Sequence, residues 1–339
     1  MGYILAIIAG ALIALALLLA LAGIVWQGLG SAKDARKFPP PGRRFSVGGH
    51  RLHFHATGKG IPPVIFDSGL PGSTLSWNSV QPAIAKITQT CSYDRAGLGW
   101  SEPGPLPRTT ERIVEELHSL LAIAGIPPPY IFVGHSFGGL TARFYASRYP
   151  EEIARMVLVD PLDPGEWNPL TPEQKKTLAA AARMARRTGW YARFGLLRLY
   201  FFLVGRKIIQ PRVRSDWVDS LKKLPPDLLP PIRALWSRPE PFEALAAQIE
   251  SLGESTAQVA ALPAPRGFPL ILLSAGNVSE ARGNGHVSLA QESAQAKHVI
   301  VSDSGHWIHL EQPEIVIRAI EEVIEMRKSG SDSRFAQTR

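Results

Sequence analysis

The sequence predicts an α/β fold: a mostly parallel, doubly wound sheet, a helical insertion after its sixth strand, and one transmembrane helix ahead of it. Three observations predict it. From residue 45 onward, short β-branched or aromatic runs alternate with segments of helical period, which argues for a parallel sheet with helices on both faces. Between Asp163 and Pro269 that alternation stops. From Tyr3 to Trp26 the chain carries no charge. The 339 residues allow one large domain or two small ones, and 45% hydrophobic content is ordinary for a globular core.

Residues 1–32 are expected to form an anchor. The 24 residues from Tyr3 to Trp26 are enough to cross a hydrocarbon core of ~30 Å as a helix, with an aromatic at each boundary. A cleaved signal peptide is the rival reading, since Ala20-Leu21-Ala22 offers a small-residue site. The apolar run continues past that site, however, and no Lys or Arg precedes it. There is no lipobox cysteine. Lys33, Arg36, Lys37, Arg43 and Arg44, opposed by Asp34 alone, would keep this flank and the domain behind it in the cytoplasm. Residues 33–44, with Pro39-Pro40-Pro41-Gly42, read as a basic, proline-rich linker.

Residues 45–162 supply the first part of the core. "FSVGGHRLHFHA" reads as a hairpin turning at Gly48-Gly49, and "PPVIFDSG" and "ITQTCSYDRAG" as strands. "TERIVEELHSLLAIAGI" is an amphipathic helix with Thr110 as its N-cap. A "YIFVGHS" strand, a helix and an "ARMVLVDP" strand come next. Residues 269–326 complete the core with strands in "FPLILLSAG" and "KHVIVSDSGH" and a helix opened by Pro313. The tail, 327–339, reads as disordered.

The insertion, 163–268, reads as a helical, proline-rich cap. From Gln174 to Ser215 it holds eleven Lys and Arg and no acid, although the whole chain carries only +8. Inside it, "GWYARFGLLRLYFFLVG" would put Trp190, Phe194, Leu197, Phe201 and Phe202 along one helical face. Such a helix either covers the active site, with its arginines in water, or lies on an anionic membrane surface. A nucleic-acid partner is not expected, because no reading module accompanies the basic run. The single cysteine, Cys91, rules out an internal disulfide.

"VGHSFGGL" carries the chemistry. Ser136 stands between a strand and a helix, with Gly134 and Gly138 two residues to either side. This is the G-x-S-x-G pattern of a nucleophile elbow, where glycine permits the close approach of a sharp turn. The structural alternative is a glycine-rich turn with Ser136 as helix N-cap. A serine nucleophile needs a base, and the base an orienting acid. Among nine histidines, His306 is the candidate base, because "SDSGHW" is a loop directly after a strand. His135 would point away from the serine. His53 reads as a surface or packing residue of the hairpin, and His286 and His298 lack a motif.

With "GHSFGG", "YDRAGLGWSEP", "LVDP" and "SGHWIHLEQPE" in the chain, the sequence resembles the α/β-hydrolase superfamily, in the serine-nucleophile branch with an inserted cap. The resemblance covers about residues 45 to 326. It implies that Ser136 attacks a carbonyl, that His306 takes its proton, and that the backbone N–H groups of Leu70 and Phe137 hold the oxyanion. The acid is open between Asp160, at the end of the sixth strand, and Glu280, in the loop after the seventh, where many relatives carry an aspartate. Strand-end geometry favours Asp160. Asp94 and Arg95 would brace the loop after the fourth strand. No cofactor is implied, and no metal-ligand spacing or phosphate loop is visible. The expected function is hydrolysis of carboxylic esters, small-molecule or lipid. The same triad on a peptide, lactone or carbon–carbon bond, a perhydrolase, and a non-catalytic binding protein are the alternatives.

Overall fold

The computed structural model describes residues 1–208, 223–263, 265, 267–292 and 295–329. Eight strands form one sheet: β1 (Arg43–Val47), β2 (His50–Thr57), β3 (Val64–Asp67), β4 (Thr90–Tyr93), β5 (Tyr130–His135), β6 (Ile153–Val159), β7 (Leu270–Ala275) and β8 (Ala296–Val301). Their spatial order is β1-β2-β4-β3-β5-β6-β7-β8. The hairpin at the β1 edge is antiparallel, and every pair from β4 to β8 is parallel.

Period-two side-chain alternation divides the central strands between two cores. Ile65, Phe132, Met156, Leu158 and Leu272 face one layer, which includes Leu117 and Leu120 of helix α3 (Thr110–Ile123) and Tyr145 of α4 (Phe137–Arg148). Their neighbours Val64, Phe66, Ile131, Val133, Val157 and Ile271 face the other. That layer holds Ile84 of the short helix α2 (Gln81–Ile84) and the closing helix (Pro313–Ser329) through Val316, Ile320 and Val323. Strands covered on both faces read as continuous apolar runs, as these do. The α3 N-cap is Thr109, one residue before the expected Thr110, and its hydroxyl accepts from the Arg112 amide.

Between β6 and β7 lie the short α5 (Pro164–Trp167), then α6 (Pro172–Arg193), α7 (Leu196–Gly205), α8 (Leu229–Trp236), α9 (Glu240–Glu250) and α10 (Leu252–Ala260). The run from Trp190 to Val204 is two helices, not one. Gly195 takes a left-handed conformation (φ 72°) and breaks it. Arg212 and Arg214 of the basic run lie outside the described residues, as do residues 330–339 of the expected tail. Residues 327–329 belong to the closing helix.

The N-terminal helix, α1, runs from Gly2 to Lys37 and is long and apolar enough to cross a membrane. It continues through the first five residues of the expected linker. Its last turns pack on the cap through a stripe at Gly23, Trp26, Gln27, Gly30, Ser31 and Asp34, the spacing of one helical face. A Cβ at Gly23 would collide with the Phe194 carbonyl, one at Gly30 would lie 2.6 Å from Arg198 Nε, and one at Gly195 would lie 2.9 Å from the Trp26 ring. Arg198 fills the seam. Its guanidinium donates to Asp34 Oδ2 (2.5 Å), Gln27 Oε1 (3.0 Å), Ser31 Oγ (3.3 Å) and Ser237 Oγ (2.9 Å). Gln27, itself buried, donates to the Ser237 carbonyl at 2.9 Å. Polar groups removed from water are tolerated here because each is partnered.

Residues after α1 are pinned to the core. Trp100 Nε1 donates to the Phe38 carbonyl, and His53 Nε2 donates to the Pro41 carbonyl at 2.8 Å. His53 is not a surface residue; it is fully buried, with Nδ1 2.8 Å from Asp94 Oδ2. Both ring nitrogens face acceptors, so only the imidazolium satisfies both. Burial opposes that charge, but the Asp94 carboxylate and the Pro41 carbonyl outweigh it and hold the pKa above its ordinary 6.5. Asp94 also accepts from the amides of Thr74 and Trp100.

A raised histidine pKa contributes stability that is complete below the unfolded value of about 6.5 and is lost as pH rises through the folded value. The thermal midpoint of the full-length protein is therefore expected to fall as pH rises above about 6.5. His53→Gln should lower the midpoint and flatten that fall. An equally steep fall in the variant would assign the pH dependence to other groups.

Candidate active site

The sheet delivers the site from its carboxyl edge. Ser136 follows β5 at φ 52°, ψ −116°, a backbone region that costs a non-glycine residue energy and persists only where surroundings enforce it. The enforcement is visible. Its amide donates to the Val159 carbonyl (3.1 Å), and its carbonyl accepts from the amides of Gly139 (2.9 Å) and Leu162 (3.0 Å). A Cβ at Gly138 would strike the Asp67 carbonyl, and one at Gly134 the Gly138 carbonyl. The glycines of "GHSFGG" are therefore required by crowding around the turn.

Asp160 follows β6, also at positive φ (42°), and is fully buried. Its amide donates to the Leu273 carbonyl at 2.7 Å, while its Oδ1 accepts from the Ala275 amide at 2.9 Å. Its Oδ2 lies 2.5 Å from His306 Nδ1. His306 Nε2 lies 3.0 Å from Ser136 Oγ. With Nδ1–H donated to the carboxylate, Nε2 is the unprotonated nitrogen and accepts from the serine hydroxyl. Ser136, His306 and Asp160 thus meet in one hydrogen-bonded chain. Glu280 is exposed in the first turn of α11 (Glu280–Glu292), and the carboxylate that reaches His306 is Asp160. Phe137 opens α4 directly after the serine. Leu70 lies in the loop after β3, and a Cβ at its neighbour Gly69 would sit 2.9 Å from Ser136 Cβ, so that loop abuts the serine. Leu70, Phe137, Leu140, Leu162 and Leu252 form an apolar cluster at this point.

Burial alone would raise the Asp160 pKa. The hydrogen bond and charge of His306, the Ala275 amide and Arg282 outweigh it, and the carboxyl stays below its ordinary value. Arg282 is a contributor the sequence did not signal. Its Nη1 lies 3.5 Å from Asp160 Oδ2, and its Nε donates to Glu166 of α5 at 3.0 Å. It reaches in from "SEARG", where no motif marks it. His286 is a second. It is buried, its Nε2 donates to the Pro161 carbonyl, and its Nδ1 pairs with Ser274 Oγ, which fixes the chain beside Asp160.

His135 is a third. Its Nε2 donates to the His306 carbonyl at 2.9 Å, steadying the loop that carries the base. Burial, with His309 and His306 nearby, drives its pKa far below ordinary values. Burial likewise pushes His309 down to about 3, and its ring packs 4.3 Å from His135 and 4.8 Å from Trp77. Both are therefore neutral beside His306. Arg95 braces the base of the site, donating to Asp67 Oδ1 (2.7 Å), to the Ser68 carbonyl and to Gln248 of the cap.

A family model described as "alpha/beta hydrolase fold" matches residues 62–189. The Bacillus subtilis (strain 168) protein YqjL is 32% identical over 120 residues, covering 35% of this chain and 47% of that one. The chain thus spans about half the length of the first curated relatives it matches. The sn-1-specific diacylglycerol lipase ABHD11 of Mus musculus is 24% identical over 265 residues, 77% of this chain and 80% of that one. A thermophilic esterase from Thermogutta terrifontis superposes with a TM-score of 0.63 at 24% identity, over 84% of this chain and 98% of that one. A likeness at that identity establishes the fold.

Replacing the acid with its amide should leave the hydrogen bond to His306 in the wrong polarity. Asp160→Asn is expected to lower ester hydrolysis on the order of 10³–10⁴-fold, and Glu280→Gln to leave it within a few fold. Steady-state rates on a p-nitrophenyl ester decide it, and a greater loss from Glu280→Gln would move the acid to the loop after β7.

Proposed function

The chain is a member of the α/β-hydrolase superfamily, and from that premise we propose that it is a membrane-anchored serine hydrolase acting on carboxylic esters of long acyl chains. The observation that carries this reading is the Ser136 Oγ–His306 Nε2 separation of 3.0 Å with Asp160 behind it at 2.5 Å. In the forward half-reaction Ser136 Oγ bonds to the ester carbonyl carbon as its proton passes to His306 Nε2. Asp160 holds the imidazole in its reactive tautomer and balances the imidazolium charge. The amides of Leu70 and Phe137 receive the oxyanion. Collapse breaks the bond to the alcohol, which leaves with the proton from His306. A water molecule activated by His306 then adds to the acyl-serine, releasing the acid and restoring Ser136.

Two features support a long acyl chain. The cluster of Leu70, Phe137, Leu140, Leu162 and Leu252 packs apolar side chains beside the loop that abuts the serine, surroundings that suit hydrocarbon. Helix α1 would hold the body at a lipid surface, with the basic flank favouring the cytoplasmic side. The mouse relative named as a diacylglycerol lipase agrees with that choice of substrate.

Ser136→Ala is expected to keep the wild-type thermal midpoint and to lose about 10³-fold or more of ester hydrolysis, together with all labelling by a fluorophosphonate probe. On p-nitrophenyl esters of rising chain length, kcat/KM should increase from acetyl to decanoyl. Near-normal turnover by Ser136→Ala would overturn the mechanism, and a preference for acetyl would overturn the long-chain assignment.

A further inference from the structure

Helix α1 and the cap meet at one defined level, and that level coincides with a membrane boundary. The helix is exposed from Met1 to Leu19, Ala20 is its first partly covered residue, and Gly23 lies against Phe194 of the cap. Residues 3–22 at 1.5 Å per residue span ~30 Å, the thickness of a bilayer's hydrocarbon core. If they fill that core, the α6–α7 elbow at Phe194 and Gly195 lies where α1 emerges from it, in the interfacial layer.

The side chains at the elbow are suited to that layer. Trp190 and Tyr191 at the end of α6, and Leu196, Leu199 and Phe202 along α7, are all exposed, Trp190 by 61% and Leu196 by 51%. Helix α7 has no buried residue. Trp and Tyr prefer the headgroup boundary, and aliphatic side chains prefer the acyl region beneath it. Arg183, Arg187, Arg206 and Lys207 are exposed on the same two helices or just past them. Near an anionic surface, each such charge is attracted.

The attachment is also rigid. Arg198 ties α7 to Gln27, Ser31 and Asp34, and three glycines let the backbones approach. An elbow that cannot swing away from α1 must take whatever depth α1 imposes.

We propose that the α6–α7 elbow is a second membrane-binding element, which seats Trp190, Tyr191, Leu196 and Leu199 in the interfacial layer of an anionic bilayer beside α1. The proposal rests on the reading of α1 as a span and is independent of the reaction catalysed. It gives the cap a fixed side toward lipid.

The test uses the full-length protein in vesicles of four parts phosphatidylcholine to one part phosphatidylglycerol. A polarity-sensitive fluorophore is attached at Leu196→Cys, Leu199→Cys, Ile13→Cys or Glu111→Cys, one at a time. Native Cys91 is buried and its thiol is pushed up to about 12, so it stays unlabelled. Lipids carrying a spin label at shallow or deep positions then report contact. The elbow labels should be quenched by the shallow lipid, Ile13→Cys by the deep lipid, and Glu111→Cys, on α3, by neither. Quenching at Ile13→Cys alone overturns the proposal while leaving the span intact. Quenching at neither site overturns both, and quenching at the elbow alone removes the span and with it the proposal, whose depth argument needs α1 in the bilayer. Self-quenching between copies without lipid quenching would make this face a dimer contact and also overturn the proposal. Ester turnover enters none of these readouts, so a failure here is separate from a failure of the proposed reaction.

Discussion

Two backbone positions held at positive φ, Ser136 (52°) and Asp160 (42°), are the constraint on which the rest of the site depends. Neither residue is glycine, so each conformation must be maintained against its own preference, at a cost of order 1–3 kcal/mol. The sheet maintains both. The Val159 carbonyl holds the Ser136 amide and the Leu273 carbonyl holds the Asp160 amide, so each turn is fastened to the next strand along. Parallel pairing in the order β5-β6-β7 sets these fastenings side by side. The serine and the carboxylate are thereby projected from adjacent strand ends, and a loop beyond β8 brings His306 between them. Such ends are where open α/β sheets carry their ligands.

Much of this is legible in the chain because strand ends are legible. Short runs such as "YIFVGH" and "MVLVDP" have one apolar layer to either side, and the chain must turn where they end. The glycines around Ser136 announce a turn too tight for side chains. Other parts are not legible, for equally physical reasons. Arg282, His286 and His135 act across 120 to 170 residues of sequence, and no local pattern encodes a partner at that distance. His53 escapes a sequence reading because a hairpin histidine usually faces water. Here the β2–β4 pairing carries it against Asp94, and the residues after α1 close over it. The stretch from Trp190 to Val204 has helical period throughout, but Gly195 uses its freedom for a left-handed turn that gives α1 room to pack.

That packing changes how the N-terminal segment is understood. As sequence, it divides into a span and a basic, proline-rich linker. As structure, it is a single helix whose last turns belong to the cap and whose continuation is pinned to the core by Trp100 and His53. The body is therefore held on a post rather than a tether. The helices between β6 and β7 connect α1 to the loops around Ser136 and His306 through short steps. Helix α8 meets α1 through Ser237 and packs Ile232 with Leu75, which follows the loop after β3, and with Leu310, four residues past His306.

The central claim is that Ser136 Oγ is the atom that becomes acylated. Intact-protein and peptide mass spectrometry of the full-length protein, acid-quenched during turnover of a long-chain p-nitrophenyl ester, measures this directly. The expected result is an added acyl group, with loss of p-nitrophenol, on the peptide containing Ser136. An acyl group on any other residue, or hydrolysis with no adduct even when deacylation is slowed by low temperature, would contradict it.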